Sequence, residues 1–189
     1  MSKKRIQILH RGRFLALLRD RHWEYAERVN SVGAAFIAAV TPAGELVLVE
    51  QYRIPLHTRT LELPAGLIGD ENAAESIEAS ALRELEEETG FRGRHARILL
   101  RGPVAAGLTS ERLALVQVSG LRRVHAGGGV DGENITVHLA PLDRIDAWLR
   151  AREREGLLIE PRIFTALYLL NRAARGKGAS HRRRPGGRK

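Results

Sequence analysis

An α/β fold of the mixed α+β kind is predicted for this chain of 189 residues: a mixed β-sheet sandwiched between helices, with an N-terminal antiparallel strand region. Three observations predict it. Short apolar or alternating runs bounded by Gly, Pro and Asn recur along the chain, which is the mark of strands. A few longer stretches carry the 3.6-residue period of helices. The two kinds are interspersed, and hairpin-like pairs occur among the strands, so one sheet covered by helices is the economical packing. The length suits a single domain with a sizeable core.

The elements follow in order. Trp23 to Val29 alternates and reads as a strand. Val32 to Val40 is almost continuously apolar, hence a buried strand, and Pro42-Ala43-Gly44 turns the chain so that Glu45 to Tyr52 returns as its hairpin partner. Thr60 to Leu63 leads into Pro64-Ala65-Gly66, which reads as a turn. A helix is expected from about Asn72 to Thr89, stopped by Gly90 as the left-handed residue at its C-terminus. Strands are expected at Ala96 to Leu100, Leu113 to Val118 and Ile135 to Leu139. Helices are expected at Asp143 to Arg154 and at Pro161 to Ala174, the second with proline at its first position.

Composition narrows the function. There is no cysteine, hence no disulfide framework, thiolate nucleophile or thiolate metal site, and a reducing cytoplasm is the compatible setting. No apolar run approaches the roughly 18 residues that span a bilayer, and the basic start is broken by His10, Arg11 and Arg13 before any signal-peptide core develops. The net charge of +9 is unevenly placed. Eight of the 31 basic residues follow Asn171 with no acid among them, which leaves 23 basic against 22 acidic residues in the remainder. The domain organisation is therefore an N-terminal segment (1–22), a domain body (23–174) and a basic tail (175–189), the last expected to be disordered because it is rich in Gly and Arg and has nothing large and apolar to bury. A polyanion such as nucleic acid is a partner for the tail alone, and the tail lacks aromatics that would stack on bases.

The chemistry concentrates in Arg83-Glu84-Leu85-Glu86-Glu87-Glu88-Thr89-Gly90. At about 100° per residue Glu84, Glu87 and Glu88 share one arc of a helix, beside an apolar stripe of Ala74, Ala81 and Leu85. Like charges at that spacing repel, and acids in a last turn oppose the helix dipole, each by a few tenths to about 1 kcal/mol. A solvated acidic face is one account of such a run. A divalent cation reverses the sign of the argument, because it needs converging carboxylate oxygens.

Gly69, Glu75, Arg83, Glu84, Leu85, Glu87, Glu88, Gly90 and Phe91 match, spacing for spacing, the Nudix box: G, five residues, E, seven residues, R-E-apolar-x-E-E-x-G-apolar. The chain thus resembles a Nudix hydrolase, an enzyme cleaving a nucleoside diphosphate linked to another group with Mg²⁺ or Mn²⁺. The resemblance extends from about Trp23 to Leu170. Glu50-Gln51-Tyr52-Arg53, Glu62-Leu63-Pro64-Ala65-Gly66 and Gly107-Leu108-Thr109-Ser110-Glu111 are similar to the branch acting on ADP-ribose and other nucleotide sugars. So is Gly127 to Ile135, which is also similar to GDP-mannose-cleaving members.

The resemblance implies roles. Glu84 and Glu88 are implied metal ligands, Glu87 a ligand or water-orienting residue, and Arg83 the side chain that positions them. It implies a metal contact from the Ala65 carbonyl, and a metal or base role for Glu133, with Asp131 as a second acidic position. The base is thereby one of Glu133, Asp131 and Glu87. Arg53 is implied to contact the diphosphate, in keeping with the bidentate fit of guanidinium to phosphate oxygens. Glu111 is implied to bind substrate, and Trp23 to stack on a base across a homodimer formed through N-terminal strands. GDP-mannose-type, dinucleotide and RNA-cap hydrolysis are the alternative activities, and nucleic-acid binding through the tail the alternative class. In many relatives the glycine of P-A-G is itself the first of the box; here Gly66 precedes Gly69 by three residues. His57 and His125 have no partner at a ligand spacing and read as surface residues.

Overall fold

Buried apolar strands set the architecture, which the computed structural model describes for residues 6–31, 33–68, 75–129 and 134–181, with side chains through 175. The chain opens with β1 (Gln7–Arg11), β2 (Leu15–Asp20) and β3 (Trp23–Arg28), an antiparallel sheet in that order. The first two strands lie in the segment 1–22; with β3 they form the N-terminal antiparallel region that the fold class predicts, although the local sequence pattern places no individual strand there. Next come β4 (Gly33–Ala39), β5 (Glu45–Arg53), a 3₁₀ turn at Ile54–Leu56, β6 (Thr58–Glu62) and β7 (Ala65–Ile68). They lead to α1 (Ile77–Thr89). Then follow β8 (Phe91–Arg92), β9 (His95–Pro103), β10 (Arg112–Ser119), β11 (Arg122–Arg123) and β12 (Thr136–Pro141). The chain closes through α2 (Ile145–Arg154), β13 (Leu158–Ile159) and α3 (Arg162–His181).

Two four-stranded mixed sheets carry the core. One has the order β7-β4-β10-β9, with β10 parallel to β4; the other has the order β12-β5-β6-β13, with β13 parallel to β6. Every residue of β4 is buried, and its alternate residues serve opposite sides. Ala35, Ile37 and Ala39 pack with Ala81 and Leu85 of α1. Ala34, Phe36 and Ala38 pack with Leu48, Leu61 and Leu63 and with Leu149, Ile163 and Ala166 of α2 and α3. Helices thus cover both sides of a mixed β layer, as the sequence predicted.

Four local expectations are corrected. β4 and β5 are not mates in one sheet. A Val40–Leu46 bridge and the bonds Thr41 N–H to the Glu45 carbonyl (2.8 Å) and Gly44 N–H to the Thr41 carbonyl (3.0 Å) make the turn, after which the strands part. Each is central in its own sheet, and a run buried on both faces has no alternation to reveal its partner. Pro64-Ala65-Gly66 is not a turn: Ala65 begins β7, paired with Phe36, and the Pro64 carbonyl already accepts from Ile37 N–H at 2.8 Å. The missing N–H of proline is no obstacle where its carbonyl joins the ladder. α1 begins at Ile77, because the Ser76 hydroxyl accepts from Ala79 N–H at 3.1 Å and caps the first turn. Finally, α3 runs to His181, past the Ala174 at which the sequence pattern ends it, extending a helix anchored by its buried first turns. Residues 182–189 of the tail lie outside the described residues.

Candidate active site

The acidic arc of α1 faces the edge strand β7. The close approach is made possible by Gly66: a Cβ there would stand 1.9 Å from the Cδ of Glu84, so the glutamate side chain lies directly on the glycine backbone. One residue earlier, Ala65 sits opposite Phe36 at a position where the ladder bonds flank rather than join the pair. At such a position the N–H and C=O of a residue both point away from the neighbouring strand. The Ala65 N–H accordingly donates to Glu88 Oε2 at 3.1 Å, and its carbonyl faces the same side. Glu88 is buried at 6% exposure, an unusual place for a carboxylate without dedicated partners.

Arg83 gathers the rest. Its Nη1 lies 3.0 Å from Glu84 Oε1 and 3.0 Å from Glu87 Oε2, and its Nη2 lies 3.5 Å from Glu75 Oε2. One guanidinium therefore stands among three carboxylates. The end of α1 is held from outside the helix. Gly90 takes the left-handed conformation (φ 71°), and its N–H reaches the Glu86 carbonyl at 2.8 Å. The glycine loop after β11 supplies two further donors, Gly128 N–H to the Glu88 carbonyl (2.8 Å) and Gly129 N–H to the Glu87 carbonyl (3.3 Å). These bonds answer the unfavourable dipole noted in the sequence by satisfying the last carbonyls directly. Ring Nδ1 of His125 accepts from Gly127 N–H at 3.0 Å, a local structural role for that histidine.

A cleft of about 1180 Å³ is lined in part by Ala34 and Phe36 of β4, the latter the ladder partner of Ala65. Arg53 and Glu111, the expected substrate-binding residues, line it, and so do Arg28, Glu62 and Arg162, which the sequence did not single out. Arg53 binds Glu62 through two bonds, Nε to Oε1 at 2.7 Å and Nη2 to Oε2 at 2.6 Å. Burial works to raise the pKa of Glu62, but bonds from Arg53 and the Thr60 hydroxyl and the charges of Arg53 and Arg162 outweigh it and hold the carboxyl below its ordinary value. Arg28 pairs with Glu111. The Arg162 guanidinium lies 3.9 Å above the Phe36 ring, anchored to Glu160 Oε1 at 2.6 Å. A signal for Glu62 was present, since it opens the quoted E-L-P-A-G segment and sits across the ladder on the face of Arg53; nothing local marked Arg28 or Arg162.

The structure thus brings Ala65, Arg83, Glu84, Glu87 and Glu88 to one face and Arg53 and Glu111 to the adjoining cleft. Trp23 is placed elsewhere: it is exposed on the N-terminal sheet, beside His22 at 6.2 Å between ring centroids. Gly69, Ala74, Asp131 and Glu133 lie outside the described residues. Among the described residues, no three Asp, Glu or His side chains already form a cation site. The donor set is nonetheless oxygen throughout, three carboxylates and a backbone carbonyl, which suits a hard divalent cation such as Mg²⁺ or Mn²⁺. The glycine cradle at residue 66 leaves room for Glu84 to present an oxygen beside Ala65.

Comparison with known proteins decides the family. The NUDIX domain matches residues 30–110. An uncharacterized Nudix hydrolase of Schizosaccharomyces pombe is 30% identical over 160 residues, 77% of this chain and 75% of that protein. The chain belongs to the Nudix family. Within the family it is similar to the ADP-ribose pyrophosphatase of Mycobacterium tuberculosis, 34% identical over 124 residues, 62% of this chain and 59% of that protein. A crystal structure described as an ADP compounds hydrolase superimposes with a TM-score of 0.70 over 92% of this chain and 93% of that one at 22% identity, which establishes the Nudix fold. The chain spans 34% to 59% of the length of four curated relatives that it matches. α1 is accordingly the Nudix helix.

Proposed function

We propose that the chain hydrolyses the diphosphate bond of ADP-ribose or another nucleoside diphosphate sugar, giving a nucleoside monophosphate and a sugar phosphate. The observation that carries this reading is the packing of the Nudix-helix carboxylates against Ala65 and Gly66, while Phe36, the ladder partner of Ala65, lines the cleft that holds Arg53. Similarity to proteins named ADP-ribose pyrophosphatase supports the substrate class.

Glu84, Glu87, Glu88, the Ala65 carbonyl and Glu133 would hold Mg²⁺ or Mn²⁺. When bound, the cation neutralises the diphosphate, polarises phosphorus and lowers the pKa of water. Arg53 and Glu111 line the cleft that receives the substrate, with the Arg53 guanidinium on the diphosphate. Arg83 holds Glu84 and Glu87 at one guanidinium nitrogen and offsets their mutual repulsion. Water adds across the bridge: one phosphorus gains the new oxygen, the bridging oxygen leaves with the other phosphate, and the displaced proton passes to Glu133, Asp131 or Glu87. No covalent nucleophile takes part.

The protein acts as a homodimer in this reading, supported by the exposed Ile8, Phe14, Leu15, Leu17 and Trp23 around its N-terminal sheet, and Trp23 would stack on the base bound by the partner. Cysteine-free composition is compatible with a cytoplasmic setting. Among the described residues no helix is long and apolar enough to cross a membrane. A panel of ADP-ribose, ADP-sugars, GDP-mannose, dinucleotides and capped RNA, assayed with Mg²⁺ and with Mn²⁺, tests the assignment. Release of nucleoside monophosphate from ADP-ribose or an ADP-sugar in preference to the others is expected. Turnover of none of the nucleoside diphosphate compounds, or full turnover in excess chelator, overturns it.

A further inference from the structure

The buried carboxylate of Glu62 has no part in the reaction just described, and its surroundings call for an account. Its side chain is 7% exposed, whereas that of Arg53, its bidentate partner, is 42% exposed. A third bond comes from the buried Thr60 hydroxyl, and Arg162 adds its charge nearby. Burying a carboxylate to pair it with a half-exposed arginine is a weak way to stabilise a fold, because desolvation offsets much of the attraction. Such a pair does fix geometry. A guanidinium bound through Nε and Nη2 is locked in plane and turned so that its Nη1 end points away from the carboxylate.

We propose that Glu62 is a positioning residue for Arg53: it aims the guanidinium into the cleft so that a diphosphate meets a pre-oriented cation rather than a mobile one. The inference rests on the reading above that Arg53 contacts the diphosphate. Three features support it. The anchor is the buried member of the pair and the cleft-facing member is the more exposed one. Strand pairing sets the distance, since Arg53 and Glu62 lie on one face of the β5–β6 ladder. The segment from Glu62 is also tied at its far end, where fully buried Leu63 and the Pro64 carbonyl precede Ala65, whose N–H holds Glu88. One short stretch of chain therefore sets the arginine of the cleft and a carboxylate of the Nudix helix relative to each other. Pre-orientation of this kind lowers the ordering cost of binding.

The test reads binding apart from hydrolysis. ADP is titrated calorimetrically, without divalent metal, into wild type, Glu62→Gln, Arg53→Gln and the double variant. Glu62→Gln keeps shape and removes the charge; it is expected to weaken ADP binding about tenfold, the scale of one charge-assisted hydrogen bond. In the Arg53→Gln background the same change is expected to matter less than about twofold, because its route of action is gone. With ADP-ribose, KM should rise while kcat stays within about twofold. Equal weakening in both backgrounds, unchanged or tighter ADP binding by Glu62→Gln, or no ADP binding by wild type overturns the proposal. Should Glu62→Gln not fold, Thr60→Val, which removes the hydroxyl bond to Glu62, takes its place under the same two outcomes. Wild type that binds ADP with this coupling yet hydrolyses no diphosphate would remove the functional reading and leave the inference standing.

Discussion

Gly66 and Glu84 occupy one space: a Cβ on the glycine would stand 1.9 Å from the Cδ of the glutamate and 2.2 Å from its Oε1. The obstructed atoms are the far end of a flexible side chain, so the backbone can keep its course while the carboxylate is displaced. Gly66→Ala is therefore expected to fold with a nearly unchanged melting temperature and to lose at least about a hundredfold in ADP-ribose hydrolysis, the scale of a lost metal contact worth several kcal/mol. Steady-state kinetics beside a thermal melt checks this, and full activity would refute the placement of Glu84.

Gly90 presents the opposite case. It has φ 71°, and a Cβ there would meet the His125 carbonyl oxygen at 2.1 Å, backbone against backbone. Gly90→Ala is expected to destabilise the fold by about 1–3 kcal/mol. Denaturant unfolding measures it as a lower midpoint at unchanged slope.

Glu84→Gln and Glu88→Gln keep the shape of their side chains and remove charge from the carboxylate face. Each is expected to reduce hydrolysis at least about a hundredfold without unfolding the protein, and chelation of divalent metal should do the same to wild type. Calorimetric titration with Mg²⁺ or Mn²⁺ in the presence of nucleotide should show weaker uptake by both variants. Wild-type rates in either one would count against the metal-binding assignment.

Acid stability should report Glu62 and Glu50. Burial works against the charge of Glu50, and bonds from Arg59 and His138 overcome it; Glu62 is held down in the same manner by Arg53 and Thr60. A carboxyl whose pKa is lower folded than unfolded stabilises the fold fully above its unfolded value, and that contribution fades as pH falls through the folded value. Stability should thus decline from about pH 4.5 downward. Glu62→Gln should flatten that decline, as read by unfolding midpoints from pH 6 to about pH 3.

Removing residues 182–189 takes away five basic side chains, Arg182, Arg183, Arg184, Arg188 and Lys189. Hydrolysis should stay within about twofold, because the residues that line the cleft lie between Arg28 and Phe164 and the carboxylates of the Nudix helix within α1, while retention on heparin or RNA should fall. A loss of turnover on truncation would assign the tail to the catalytic machinery.

Much of the site could be read in advance because its residues are close in sequence. Glu84, Glu87 and Glu88 share a helical face by spacing alone, and Gly90 marks the helix end by its backbone freedom. What spacing could not reveal was that Arg83 stands among three of the acids, or that Glu88 is tied to Ala65 across 23 residues. The turn expected at Pro64-Ala65-Gly66 failed for a similar reason. Pro and Gly are punctuation in an isolated segment, but the Pro64 carbonyl finds Ile37 in the neighbouring strand and the segment becomes part of a ladder.

Periodicity and spacing within single segments were enough to read the mixed class of the fold, the acidic helix and the family resemblance. Contacts between distant segments settle that β4 and β5 part into separate sheets, that Gly66 receives Glu84, and that Arg53 leans on Glu62. Those outcomes follow from strand pairing and burial between segments distant in the chain, where many partners suit one apolar run and only the assembled core selects among them.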